Sequence, residues 1–216
     1  MDFRRLYGVP TGGRYHAARR GHLVIPVVLS GWLALIGAGF LTLFWYGTMP
    51  GTSQGKPVRW PADVAVALEP ARPNLLLFAH PRCACTQATL RELARIEQAC
   101  RGRVSIRMFF FLPEEEADAW QDTSLIRQAH AIPGAQIHWD HQGEMARRFG
   151  ATTSGQVVLY NEAGELVFRG GITPSRAHEG ANRGAESIVQ HVYGIPSDDP
   201  VTAVYGCSIF SPRESE

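Results

Sequence analysis

Residues 23–46 are a run of 24 apolar or small residues, set within a stretch, 21–55, that has no Asp, Glu, Lys or Arg. At a rise of about 1.5 Å per residue such a run crosses a hydrocarbon core of about 30 Å as a single helix. Pro26, Gly31, Gly37 and Gly39 would weaken a helix in water but are tolerated in a bilayer. Trp45 and Tyr46 close the run, where amphipathic rings favour the headgroup layer. The run exceeds the roughly 7–15 apolar residues of a cleaved signal peptide, and no A-x-A site follows it, so an uncleaved anchor is expected. Five arginines (4, 5, 14, 19 and 20) precede it against one acid, Asp2, while residues 47–216 carry 16 basic and 19 acidic residues. The positive-inside rule then places residues 1–22 in the cytoplasm as a basic tail and everything after residue 46 outside. For a bacterial source this is a single-pass inner-membrane protein with a periplasmic domain, where disulfides form. The overall charge of +1 offers no basic surface for nucleic acid.

The remainder has room for one domain. Residues 47–73 are rich in Gly, Pro, Ser and Thr and read as a tether, with 64–68 a candidate short strand or turn. From residue 74 short apolar runs alternate with amphipathic ones. Strands are expected at 74–79, 104–112, 136–140, 156–160 and 166–169. Helices are expected at 83–100, 114–130, 143–149 and 184–193. Asn161-Glu162-Ala163-Gly164 marks a hairpin between the last two strands. The pattern is that of an α/β domain over residues 74–195 with a sheet of mixed direction flanked by helices, followed by a tail at 196–216.

All four cysteines lie beyond the anchor, and two fall in one turn, Cys83-Ala84-Cys85, between a buried strand and a helix. Free N–H groups and the positive dipole end of a helix stabilise a thiolate at such a place, and Arg82 adds a nearby cation. Pro81 holds His80 extended and helps end the strand. The segments FAHPRC, CACTQATLRELARI, VSIRMFFFL and WDHQGEMARRFGATTSGQVVLYNEAGELVFRGG resemble the thioredoxin superfamily. The likeness is to membrane-anchored extracytoplasmic proteins of the TlpA/ResA kind, including the group labelled RedB, and covers about residues 73–194. It implies a thioredoxin-like mixed sheet flanked by helices, with Cys83 as the nucleophile of a redox-active centre. The family spacing is C-x-x-C. Here the second position is Thr86, and Cys85 comes one residue early. A C-x-C disulfide closes a tighter ring, expected to be more strained and more oxidising. The family's cis-proline, facing the cysteines, would fall near Gly155; no proline is there, and Ser154 or Gly155 is expected in its place.

Cys83 and Cys85 are therefore the candidate catalytic pair, with His80, Pro81, Arg82, Thr86, Ser154 and Gly155 positioning the substrate. His80 is open to proton transfer, metal binding or a structural role. Cys100, on the apolar side of the first domain helix, reads as a buried thiol. Cys207 is open to three roles: resolving Cys83, pairing with Cys100, or packing beneath the domain. His178 and Glu179 lie in the long loop 171–184, which the superfamily places near the cysteines. The expected activity is thiol–disulfide exchange with a protein partner, Cys85 resolving, and no cofactor beyond the disulfide. Two alternatives stand beside it. One is copper binding by Cys83 and Cys85 with His80 as a further ligand, since soft thiolates select Cu(I). The other is a thiol peroxidase, since Thr86 stands beside the cysteines and a low-pKa thiol reacts with peroxide.

Overall fold

The computed structural model describes residues 18–53, 57–114 and 120–210. The chain divides into two units, Met1–Tyr46 and Gly47–Glu216. Helix α1 (Ala18–Thr48), all but its last two residues in the first unit, contains a segment, Val24–Thr48, long and apolar enough to cross a membrane. Trp32, Leu35, Phe40, Leu41 and Phe44 on it are more than half exposed.

In the second unit, β1 (Asn74–Ala79) is buried along its whole length. It is the middle strand of a five-stranded sheet ordered β3-β2-β1-β4-β5. β2 (Ser105–Leu112) pairs parallel to β1, and β3 (Gln136–His141) parallel to β2. β4 (Gln156–Tyr160) runs antiparallel to β1, and β5 (Leu166–Gly170) antiparallel to β4. The period of two sorts the side chains into two cores. Leu75, Leu77, Ile106, Met108, Phe110, Val157 and Leu159 face one layer, which holds α2 (Thr86–Cys100), α3 (Ser124–His130) and α5 (Arg183–Val192). Leu76, Phe78, Phe109, Phe111, Val158 and Tyr160 face the other, with Phe149, Ile209 and Phe210. This second layer includes α4 (Glu144–Arg148), whose first N–H groups are capped by Asp140 through Met145 N at 2.8 Å and Ala146 N at 2.9 Å.

Three expectations are altered. The helix expected at 114–130 is broken: Thr123 is extended and caps α3 by accepting from Ile126 N at 3.3 Å, so the turn before it cannot continue. Residues 115–119 of that expectation lie outside the described residues. Residues 64–66 are bends and 67–68 belong to no regular element, so no strand forms there. The described part of 47–73, read as a tether, is laid onto the domain. Trp60 packs edge-on against Phe149 and Tyr160 at 5.5 and 5.3 Å, Tyr160 Oη donates to Pro57 O, and Gly51 N donates to Val204 O. Tryptophan burial outweighs the freedom that the surrounding Gly and Pro suggest.

The tail is built in as well. Arg169 N donates to Pro200 O at 2.9 Å and Thr202 N to Arg169 O at 3.1 Å, so the tail first runs beside β5. It then crosses to the segment before β4, where Ser154 N donates to Cys207 O at 2.8 Å and Ile209 N to Thr152 O at 2.9 Å. Val204, Ile209 and Phe210 are buried beneath it.

Candidate active site

β1 ends in a turn whose shape is set by its own backbone. Cys83 N donates to His80 O and Thr86 N to Cys83 O, both at 3.0 Å. Cys85 is the residue that caps α2, and it does so with no side-chain hydrogen bond, the first N–H groups of the helix turning back to the carbonyls of Cys83 and Ala84. Ser154, almost fully buried, ties this turn to the opposite loop. Its Oγ accepts from His80 N at 2.8 Å and pairs with Thr86 Oγ1 at 2.7 Å. Next to it Gly155 holds φ +93°, and a Cβ there would stand 2.9 Å from Thr89 Oγ1. Of the two residues expected in place of the proline, Ser154 stands at the thiol turn through its hydroxyl, and Gly155 lies against Thr89 of α2.

Cys207 completes the site. Its Sγ lies 3.0 Å from Cys83 Sγ, and the sulfurs of Cys83, Cys85 and Cys207 lie within 4.8 Å of one another. All four cysteines of the chain are free thiols. Gly206 makes the approach possible, because a Cβ there would fall 1.9 Å from Ser154 O. Of the two cysteines considered as neighbours for Cys207, Cys83 and Cys100, the structure places it beside Cys83. Cys85, the expected resolving thiol, is half-buried and also bonds to Cys83 within the same group of three sulfurs, whereas the 3.0 Å sulfur pair is Cys83 with Cys207.

The three thiols differ in acidity. Burial acts to raise the Cys83 pKa, but hydrogen bonds from the side chains and backbone of Cys207 and Thr86 outweigh it, and the net shift is below 9.0. The Cys85 thiol is raised by burial and by the Cys83 charge, with Arg176 acting against both. Cys207 is pushed up to about 12, by burial and by its bond to Cys83. In the singly ionised site the charge thus rests on Cys83.

The cation beside these sulfurs is Arg176, which also donates to Gly206 O. Arg82, expected to supply it, stacks over Trp120 at 4.3 Å. His80 is held by its surroundings: Nδ1 accepts from Arg82 N at 3.1 Å, and the ring packs against Phe111 and Trp120. It lies outside the group of three sulfurs. Glu179 forms ion pairs with Arg91 and Arg95 of α2; the bond from Arg91 leads in holding its carboxyl below the usual range. His178 Nδ1 contacts Arg176 O at 2.6 Å. These contacts pin the 171–184 loop across α2 and so position Arg176, which the sequence reading passed over. The loop's length was the available signal, and Arg176 lies two residues before the histidine singled out. Cys100 is fully buried, its thiol pushed up to about 11, at the far end of α2, about 21 Å along the helix from the first turn.

No family model and no curated protein matches the chain. Among solved structures, an uncharacterised conserved protein from Geobacillus kaustophilus is similar, with TM-score 0.52 and 20% identity over 66% of this chain and 79% of its own. A hypothetical protein from Sinorhizobium meliloti 1021 gives TM-score 0.54 and 18% identity over 74% and 93%. A looser likeness, TM-score 0.42 and 16% identity over 59% and 84%, is to a secreted Mycobacterium tuberculosis disulfide oxidoreductase homologous to E. coli DsbE. At these identities the likeness is one of fold. The sheet order, with a parallel β1-α2-β2 unit carrying the cysteine turn and an antiparallel β4-β5 hairpin beside it, is that of a thioredoxin-like fold.

Proposed function

We propose that the chain is a membrane-tethered thiol–disulfide oxidoreductase acting on protein partners outside the cytoplasm, with Cys83 and Cys207 as its exchanging pair. One observation carries the reading: a buried thiol of lowered pKa with a second sulfur 3.0 Å away. Closing that gap to the 2.05 Å of a disulfide takes a shift of about 1 Å. The resolving role passes from Cys85 to Cys207.

As a reductant, the Cys83 thiolate attacks a partner disulfide and expels one partner thiolate. Cys207, losing its proton, then attacks Cys83 Sγ, releasing the second partner thiolate and leaving a Cys83–Cys207 disulfide. Two electrons pass to the partner. The reverse sequence oxidises a partner dithiol. Accessibility favours the reverse while the tail is seated, because Cys207 is exposed and Cys83 is only 2% exposed. An incoming thiolate meets Cys207 first and expels Cys83, whose low pKa makes it the better leaving group. The apolar span Val24–Thr48 supports the tether, and the arginine excess before that span supports an exterior domain.

The test is a redox titration of the full-length protein in detergent, with alkylation and mass mapping of each cysteine. A reversible two-electron couple is expected, lost in Cys83→Ser and Cys207→Ser and kept in Cys85→Ser. A couple that survives Cys207→Ser and disappears in Cys85→Ser would sink the pairing.

A further inference from the structure

We propose that the reduced site is also a Cu(I) site of three thiolates, Cys83, Cys85 and Cys207, the third ligand being supplied by the C-terminal tail. The thiol-exchange reading uses two of the three sulfurs and leaves Cys85 without a task, although all three gather within 4.8 Å. Three thiolates around one ion at a metal–sulfur length of about 2.3 Å stand about 4 Å apart. The observed cluster reaches that geometry with shifts of about 1 Å, the 3.0 Å pair opening and any separation near the 4.8 Å limit closing.

Ligand chemistry selects the metal. Thiolate sulfur is soft and favours Cu(I) over hard cations. Structural zinc takes four protein ligands, and among the described residues the group offers three, with no carboxylate or imidazole completing it. His80 is not in the group. Its Nδ1 accepts from Arg82 N and its ring packs against Phe111 and Trp120, so the third ligand is a sulfur from the tail in place of that imidazole. Binding converts three thiols and one Cu(I) into a tris-thiolate of net charge −2 and releases the protons that the thiols carried, with no electron transferred. The Arg176 guanidinium, interacting with both Cys85 and Cys207, partly offsets that charge.

Metal and disulfide exclude each other. When a partner disulfide accepts two electrons from Cys83 and Cys207, two of the three donors are tied in an S–S bond and the ion is released. The site is thus gated by the same pair that exchanges electrons, yet binding itself needs no exchange activity.

The experiment titrates the reduced full-length protein with Cu(I) in competition with a colorimetric Cu(I) chelator, without oxygen. One ion per chain is expected, with three sulfur neighbours by X-ray absorption. Affinity should fall at least tenfold in each of Cys83→Ser, Cys85→Ser and Cys207→Ser, and stay unchanged in Cys100→Ser. Gly206→Ala, which keeps every cysteine and displaces the tail, should weaken binding by a similar factor. No stoichiometric binding, preference for zinc over Cu(I), or full affinity in both Cys207→Ser and Gly206→Ala would overturn the proposal. The metal-free redox titration is a separate measurement, so loss of the copper site leaves the exchange reading standing, and the converse holds.

Discussion

Three thiols with one intrinsic acidity leave this fold with three different ones, and hydrogen bonding separates them. Cys83 is the most buried of the three yet the most acidic, because its sulfur receives bonds from Cys207 and Thr86. Alkylation of Cys83 against pH should therefore show a midpoint below 9.0, and Cys207→Ala, which removes a donor, should raise it. An unchanged midpoint in that variant would mean the helix end alone sets the acidity. Ser154→Ala removes the hydroxyl that accepts from His80 N and meets Thr86 Oγ1; leaving those buried groups unmatched should cost about 1–3 kcal/mol in urea unfolding. Cys100 gives a stability test with a definite sign. Its folded pKa is raised to about 11, so its contribution is complete below 9.0 and is lost as pH rises from there through 11. The reduced protein should lose on the order of 2 kcal/mol across that window. Cys100→Ala should reduce the loss to the part due to Cys85, Cys207 and Tyr160, whose pKa values are raised too.

At the scale of elements, the tail is what converts a strand-to-helix turn into a three-sulfur site. It is held by backbone pairing on either side of Cys207, and only a residue without a side chain fits at 206. Gly206→Ala should leave the five-stranded sheet intact by circular dichroism and slow Cys83–Cys207 disulfide formation by at least tenfold. Formation at the unchanged rate would show that the tail is not gated by that contact. The strands and most helices were legible because their pattern shows in the sequence itself: 75–79 and 108–112 are continuous apolar runs, each followed closely by a proline. Cys83 was legible by its place at a helix start. Its partner was not, since 124 residues separate Cys207 from Cys83 and the tail has no periodicity to announce a docked strand. The same holds for Trp60, whose neighbours Phe149 and Tyr160 are distant in sequence, so a glycine- and proline-rich segment that packs read as one that swings. Arg176 was hidden for a further reason: an arginine's role depends on where its long side chain ends, which spacing alone does not encode.

For the whole molecule, the division after Tyr46 separates an apolar helix from a unit whose two cores contain no residue of that helix. A chain beginning at Gly47 should therefore fold and remain in solution, with the midpoint potential of the full-length protein unchanged. The two units also carry opposite charge, +4 through residue 46 and −3 after it. That asymmetry makes the direction of insertion testable. Arginine resists crossing the bilayer against the membrane potential, whereas acidic residues weigh little in that choice. The five arginines before the apolar run should thus hold the first residues inside and deliver Cys207 outside. After mild reduction of intact spheroplasts, a membrane-impermeant maleimide should label Cys207 as fully as it does after permeabilisation. Replacing Arg14, Arg19 and Arg20 together by neutral residues should lower that external labelling. Labelling that appears only on permeabilisation would place the thiols in the reducing cytoplasm, where a Cys83–Cys207 disulfide would not persist.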